Sequence, residues 1–314
     1  MMLLGFSYRE VFYSSVNILN IMKQGAVLTI LAIGMGYVLI AGCIDLTVGI
    51  NMAISALIAV TLQEQIGAFP AVAVALAVCV CVSLINMGII YITKARAMEI
   101  MMITFSLKMV YRGLAQAISA NKSFRTTGCA DWFLALGKGS TLGLPNLMWI
   151  MMIVAIVLGI VLSKMKFGRQ VTLVGINPEA TRLAGISVQK TRLFSFIISG
   201  LCAGIAGVLL AARTGTVKAL AGDNYEMDAV CGLVIGGYSM AGGFGSTWRA
   251  VVGVYSYTIM KNIMDLAGMN AYSQTVIQGF VLVAAVALDV YLRVNVQEVN
   301  PNEQEKDVKI CERL

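Results

Sequence analysis

The sequence of 314 residues contains no histidine, only four prolines and only 12% charged residues. Histidine is the commonest metal ligand and the usual proton carrier near neutral pH, so its absence removes both roles. The seven cysteines include no CxxC pair of the kind that binds zinc. We therefore expect neither metal nor thiol chemistry, and we interpret most of the cysteines as small apolar residues.

Motifs for nucleotide hydrolysis and for hydrolytic catalysis are also missing. No GxxxxGK[ST] loop occurs, and the glycine-rich stretch GGFGSTW, residues 242–248, has no lysine that could reach a phosphate. HExxH and GxSxG are absent as well. The sequence thus predicts a protein that is not an enzyme and that binds no ATP by this route.

What the chain has in abundance is apolar sequence. Hydrophobic residues make up 59% of it and its mean hydropathy is +0.83, whereas soluble domains carry about 25% charged residues. We predict an all-α polytopic membrane protein with about nine transmembrane helices, within residues 24–292, because most apolar segments come close to the ~20 residues that cross a bilayer. The segments are 24–41, 46–62, 68–92, 98–118, 147–163, 193–212, 229–247, 250–268 and 274–292.

The two ends of the chain differ from this membrane region. Residues 1–23 lack a long apolar core, so we expect a short amphipathic segment on a membrane surface rather than a cleavable signal peptide. Residues 293–314 are polar and of mixed charge, which favours a disordered cytoplasmic tail.

The charges of the loops predict the orientation. Residues 164–192 carry six cations and a single acid, so we place this loop in the cytoplasm, together with Lys94 and Arg96. Residues 213–228 contain three carboxylates and are placed outside, and residues 119–146 must then lie outside too. We interpret the net charge of +7 as this orientation signal rather than as a nucleic-acid surface. An odd number of spans remains unless one segment re-enters without crossing.

Two segments predict breaks between helices. In AGCIDLTVGIN, residues 41–51, Asp45 lies between apolar runs and close to Gly42 and Gly49. It either caps the following helix or contacts a polar solute. GGYSMAGGFGS, residues 236–246, has five glycines, which either mark a second break along a solute path or allow close helix packing.

Residues 173–186, LVGINPEATRLAGI, predict a short helix outside the membrane. Asn177 is its expected cap, Pro178 its first residue, and the helix should stop by Gly185. Ala180 and Leu183, with Ala184, form an apolar stripe too small for a core of its own. The stripe therefore favours a partner groove, with the lipid surface as the alternative.

We expect structural roles for the charged residues Lys108, Arg112, Lys261 and Asp265 inside the spans. Lys108 and Arg112 share one helix face, and anchoring at the membrane interface is the favoured interpretation. Lys261 and Asp265, also four residues apart, are predicted to pair within the eighth segment.

Three motifs resemble, in order and spacing, those of the permease subunits of ribose-, xylose- and galactose-type ABC importers. They are AGCIDLTVG, GINPEATRLAGI and VIGGYSMAGGFGS. The resemblance implies a bacterial cytoplasmic-membrane protein that pairs with a second permease subunit, docks an ATPase subunit that holds ATP and Mg²⁺, and receives a monosaccharide from an extracytoplasmic binding protein. It assigns ATPase coupling to Gly175, Asn177, Glu179, Ala180, Arg182, Leu183 and Gly185. It assigns the broken helices near the translocation path to Asp45, Thr47, Gly49, Asn51, Gly236, Gly237, Gly242 and Gly243.

The chain also departs from that family. Members usually begin with a further apolar helix, which would give ten, and their Pro-Pro and Thr-Leu-Gly are replaced here by Glu99-Ile100 and Thr104-Phe105-Ser106. The alternative function is a secondary transporter or channel for a small polar solute. It would need a titratable site within the membrane, for which the candidates are Asp45, Asp228, Asp265 and Asp289.

Overall fold

The structure is a computed structural model that describes residues 9–298, with side-chain environments for residues 11–291. Its regular elements are nearly all helices, which confirms the all-α prediction. The N-terminal half contains α1 Arg9–Phe12, α2 Ser15–Ile40, α3 Val48–Thr61, α4 Gln63–Ile66, α5 Ala68–Thr93, α6 Ala97–Ser119, β1 Phe124–Arg125, α7 Asp131–Lys138, β2 Ser140–Thr141 and β3 Leu144–Pro145. The rest contains α8 Asn146–Lys164, α9 Lys166–Ile176, α10 Pro178–Leu183, α11 Val188–Thr214, β4 Thr216–Val217, α12 Tyr225–Ile235, α13 Thr247–Leu266 and α14 Ala271–Glu298.

Each of the nine apolar segments contains one principal helix. Among the described residues, five helices are long and apolar enough to cross a membrane, namely α2, α5, α8, α11 and α14. By contrast, α3 has 14 residues and α12 has 11. At 1.5 Å per residue these two are about 21 and about 17 Å long, less than the ~30 Å hydrocarbon core. They are the helices that adjoin the two predicted breaks.

The centre of the bundle is formed by α11, which packs against α2, α3 and α5. Small residues allow this approach: a Cβ added to Gly200 would lie 2.8 Å from the carbonyl oxygen of Cys79, and one added to Gly34 would lie 2.5 Å from Cβ of Cys202. Without a hydrophobic driving force between helices in lipid, such close contact is the main source of packing energy. The core is therefore built on close contact between small residues.

The N-terminal boundary differs from the prediction. Helix α2 starts at Ser15, so residues 15–23, predicted as part of a separate surface segment, form the first turns of the same helix as residues 24–40. The side-chain amides of Asn17 and Asn262 exchange two hydrogen bonds of 3.0 and 2.8 Å, which fix this end of α2 to α13. Residues 1–8 and most of the predicted tail, residues 299–314, lie outside the described part of the chain.

Two loops predicted to lie outside are joined to each other. Strand β1 pairs antiparallel with β4, with Phe124 opposite Val217 and Arg125 opposite Thr216. Because β1 belongs to the loop after α6 and β4 to the loop after α11, the pairing puts both loops on one side of the molecule. This agrees with the predicted orientation of the two loops relative to each other.

Candidate functional site

The three glycine-bearing motifs meet at one point. The amide of Gly243 donates a 2.8 Å hydrogen bond to the carbonyl oxygen of Ile40, at the end of α2. A Cβ on Gly242 would lie 2.7 Å from Cα of Gly42. A Cβ on Gly175 would overlap both that carbonyl of Ile40 and the amide nitrogen of Gly243. We call these four residues, Gly42, Gly175, Gly242 and Gly243, the glycine junction.

The backbone itself requires glycine at three of the four positions. Gly42, Gly242 and Gly243 have φ of 73, 91 and 75°, a region that side chains with a Cβ rarely adopt. Gly175 lies within α9, and there only the lack of space excludes a Cβ. For residues 236–246, a break between helices and close packing were the predicted alternatives. Both hold here, because the two breaks pack on each other and on α9.

At the first break, residues 41–47 connect α2 to α3. Asp45 is 1% exposed, and its Oδ1 accepts hydrogen bonds from the amide and the hydroxyl of Thr47, at 2.9 and 2.6 Å. Thr47, not Asp45, occupies the N-cap position of α3. The prediction that Asp45 caps the helix is therefore wrong by two residues, and its carboxylate instead holds the turn before the helix.

Polar side chains from α5 and α6 continue this network. The amide of Asn86 donates to the Thr47 hydroxyl at 2.8 Å, and the Tyr111 hydroxyl donates to Oδ1 of Asn86 at 2.8 Å. The side-chain amide of Asn51 donates to the carbonyl of Cys79 at 3.2 Å, while its Oδ1 has no partner among the described residues. A relay of neutral donors and acceptors thus leads from α6 to the buried carboxylate.

The second break begins after α12. A Cβ on Gly236 would overlap the carbonyl of Arg249, whereas Gly237, with φ of 79°, has open space around it and provides only the turn. The guanidinium of Arg249 lies 5.0 Å from the centre of the Phe244 ring, which fixes the far side of the loop to α13.

The two short helices start next to each other. The Cα of Gly49, in the first turn of α3, faces the Glu226 carboxylate in the first turn of α12, and a Cβ there would lie 2.6 Å from the carbonyl of Gly222. Helix N-termini carry partial positive charge, which favours a carboxylate between them. Interrupted helices whose N-termini meet within a bundle are typical of solute sites in transporters.

Two carboxylates in the first turn of α12 are buried, and of these the sequence singles out only Asp228, as a candidate titratable site within the membrane. Glu226 is fully buried and pairs with Lys108 of α6. Asp228 accepts from Lys261 at 2.7 Å, from the Tyr257 hydroxyl at 2.6 Å and from Gln278 at 2.9 Å. Both had been counted as loop charges, although they directly precede an apolar segment, which was the signal for a helical first turn.

Two predicted roles for cations are consequently wrong. Lys261 pairs with Asp228 rather than with Asp265, which instead accepts a 2.8 Å hydrogen bond from Gln274. Lys108 and Arg112 were expected to anchor α6 at the membrane interface. They face protein instead, Lys108 at Glu226 and Arg112 at Asp223 at 3.3 Å.

The short helix α10 forms as predicted. Oδ1 of Asn177 accepts from the amides of Glu179 and Ala180 at 3.1 and 3.0 Å, and Arg182 pairs with Glu179 at 3.0 Å on the exposed surface. Leu183 is 84% exposed. Ala180 is also exposed, and Gly185 supplies a turn with φ of 80°. Of the predicted coupling residues, only Gly175 lies elsewhere, in α9 at the glycine junction.

A family model described as the permease component of the branched-chain amino acid transport system matches residues 17–286. The chain belongs to this permease family. Ribose import permeases of Haemophilus influenzae and Bacillus subtilis are 33% and 32% identical to it, over 90% and 88% of this chain and 87% and 86% of theirs. The L-arabinose transport system permease of Escherichia coli is 34% identical over 83% of this chain and 78% of its own. No solved structure matches significantly.

These matches confirm the family resemblance carried by the three motifs, and with it the prediction of a multi-pass bacterial membrane permease. They place the chain among transport subunits rather than enzymes.

Proposed function

We propose that this chain is the permease subunit of an ATP-binding cassette importer for a monosaccharide, driven by ATP hydrolysis on a separate subunit. The relatives that support the substrate class are named for ribose, L-arabinose and D-allose import. Neutral donors and acceptors beside the first break, including Asn51, Asn86 and Tyr111, suit hydroxyl groups. A second permease subunit and an extracytoplasmic binding protein complete the proposed complex.

The observation that carries the proposal is the glycine junction. Helix α10 presents an exposed leucine next to a pair of exposed charges, the surface of a docking element without a core of its own. It follows α9 directly, and Gly175 near the end of α9 contacts both membrane breaks. A push on α10 by an ATPase subunit would therefore reach both breaks through a contact between backbones.

The proposal gives each part a role. ATP and Mg²⁺ are held by the partner ATPase, and α10 receives its motion through Glu179, Arg182 and Leu183. Helix α9 carries the motion to the junction, and the two breaks alter the start of α3 and the end of α12. The sugar passes beside these short helices.

The experiment is reconstitution of the permease with the ATPase and the binding protein of the proposed complex. D-Ribose uptake into vesicles should need all three components and ATP. Glu179→Lys and Leu183→Asp should each abolish copurification with the ATPase. Leu142→Asp is the matched control, since Leu142 is an 87% exposed leucine in the loop predicted to lie on the opposite side of the membrane.

Two results would overturn the proposal. ATPase binding that survives both α10 variants would refute the docking role. Uphill uptake by the permease alone, without nucleotide, would favour a secondary transporter instead.

A further inference from the structure

Helix α6 carries one polar stripe on a surface that is otherwise mostly apolar. Thr104, Lys108, Tyr111 and Arg112 are spaced by four, three and one residues, which puts them on one face. The other faces expose large apolar side chains, and these are Met98, Met101, Met102, Phe105, Met109, Val110, Leu114 and Ile118. A stripe of this kind in a membrane helix faces either protein or a polar passage.

Every residue of the stripe bonds to an element beside the two short helices. The hydroxyl of Thr104 accepts from the amide of Leu46 at 3.3 Å and lies 3.1 Å from the carbonyl of Ile44, both in the first break. Tyr111 bonds to Asn86, as described above. Lys108 and Arg112 pair with carboxylates at and before the start of α12. We call the interface between this stripe and Asn86, Asp223 and Glu226 the polar seam.

The polar seam holds α6 mainly by polar bonds. The buried apolar side chains of α6 are Ile100 and Ala115, and Ile103 and Leu107 are half-buried beside them, so the helix makes limited apolar contact with the bundle. Polar bonds can be exchanged for bonds to a solute at little net cost, because both sides of the exchange are hydrogen-bonded. Apolar packing offers no such exchange.

The polar seam also contains a hydrogen-bond acceptor that its own residues leave unpaired. Oε2 of the fully buried Glu226 has no hydrogen-bond partner among the described residues, although such orphaned carboxylate oxygens are costly. A separate cavity of about 10 Å³, about enough for one water molecule, lies in the seam and is lined by Lys108, Arg112 and Asp223 together with Ile50 and Leu220. The described conformation is therefore closed to a sugar, while the seam holds both an unpaired acceptor and a small cavity lined partly by charged residues.

We infer that the polar seam is a transit site for a neutral polyhydroxylated solute. When α6 moves away from α5 and α12, hydroxyl groups of the solute take over bonds that Lys108, Tyr111, Asn86 and Glu226 make with one another. Hydroxyls suit this exchange because each donates one bond and accepts others, so one solute can satisfy a carboxylate, an ammonium group and an amide together. The inference rests on the proposed function for the identity of the solute as a monosaccharide.

Site-directed thiol modification tests the inference in the assembled transporter. The seven native cysteines are replaced, and Tyr111→Cys and Arg112→Cys are made separately on the polar seam. Ser106→Cys is the matched control, since Ser106 is an exposed residue of the same helix whose hydroxyl bonds only to its own backbone, at the carbonyl of Met102. Each complex, with its ATPase and binding protein in vesicles, is treated with a charged methanethiosulfonate during ATP turnover.

We expect Tyr111→Cys and Arg112→Cys to be modified during turnover. Ser106→Cys should remain unmodified, because it lies among the exposed apolar side chains that are expected to face lipid, where the reactive thiolate does not form. D-Ribose at about ten times its apparent dissociation constant should slow modification on the polar seam by about tenfold, as a competing ligand does. Sucrose, as a sugar that is not carried, should leave the rate unchanged. A purely structural role of these residues predicts no protection by sugar.

The outcomes separate the inference from the proposed function. If the transporter imports D-ribose but neither variant on the polar seam is modified faster than Ser106→Cys, the inference is wrong and the function stands. The same holds if modification occurs and D-ribose gives no protection. If the unmodified complex imports no monosaccharide at all, the proposed function fails instead. Tyr111→Cys and Arg112→Cys serve as independent reporters, so the failure of one to assemble leaves the other decisive.

Discussion

The amide of Gly243 donates a hydrogen bond of 2.8 Å to the carbonyl of Ile40, and so joins the loop after α12 to the end of α2. This bond links the two membrane breaks directly. Gly175 packs against both the carbonyl oxygen of Ile40 and the amide nitrogen of Gly243, with no space for a side chain. The loop that carries the exposed helix α10 and the two breaks are therefore one mechanical unit, and its contacts can be tested individually.

Gly175→Ala should uncouple the transporter. The added methyl group would overlap the backbone of Ile40 and Gly243, and backbone cannot move aside cheaply, as flexible side chains can. We expect uptake of D-ribose to fall by at least about tenfold, equivalent to about 1.4 kcal/mol in the coupled step, while binding to the ATPase through α10 persists. Paired uptake and copurification assays check this.

The matched control for that variant is Gly279→Ala. Gly279 is a helical glycine of α14 with open space around it, so alanine there meets no neighbour. Normal uptake in Gly175→Ala, or equal losses in both variants, would contradict a role for the junction in coupling.

Lys108→Met should destabilise the protein strongly. It leaves the buried carboxylate of Glu226 without its cation, and breaking a buried ion pair by removing one partner typically costs about 3–5 kcal/mol. The measurement is the midpoint of thermal unfolding in detergent. Arg182→Met breaks an exposed pair, which contributes about 0–1 kcal/mol, and serves as the comparison. Similar shifts for both variants would argue against the burial of Glu226.

Asn17→Ala tests the start of α2. It removes two hydrogen bonds to Asn262 and leaves a buried amide unpaired, which should cost about 1–3 kcal/mol. Asn17→Leu combined with Asn262→Leu should recover part of this loss, because replacing both partners leaves no polar group unpaired. A stability unchanged in Asn17→Ala would mean that residues 15–23 do not pack on α13.

Cys129 tests the orientation of the loop after α6. Burial, with a smaller contribution from the negative charge of Glu64, raises the pKa of this thiol from its ordinary value of 9.0. Since the thiolate is the reactive form, labelling by an impermeant maleimide in intact cells should be slow at neutral pH and should still increase with pH above 9.0. Cys129→Ser should remove the signal in intact cells. Cys81, the exposed cysteine among the described residues, lies in the membrane helix α5 and should not react with an impermeant reagent. Because Cys311 lies in the predicted cytoplasmic tail, the orientation would be reversed by labelling in inverted vesicles that Cys129→Ser removes, with none in intact cells.

The sequence predicted the helices well because their signal is local. Each apolar run, the cap at Asn177 and the stop at Gly185 depend on neighbours within a few residues. The roles of the charged residues were predicted poorly. Lys261 has an acidic neighbour four residues away, yet it pairs with Asp228 in another helix, since tertiary packing decides which partner is near.

The residues of the glycine junction could be predicted from the sequence, but their contacts with one another could not. Gly42, Gly175 and Gly242 each belong to a motif that the sequence shows, and these motifs were recognised individually. Their mutual contact depends on how α2, α9 and the second break pack, which no local pattern encodes. Glu226 escaped notice for a similar reason, because its burial depends on α6 and on Gly49.

The short strand pair, on the side predicted to lie outside, has a consequence for how this molecule could open. Strands β1 and β4 tie the chain just beyond the ends of α6 and α11, so these two helices stay together there while the backbone ladder is intact. Any departure of α6 from its neighbours is then a tilt about that fixed end. The gap would be widest at the start of α6, near Glu99, and narrowest next to the strands.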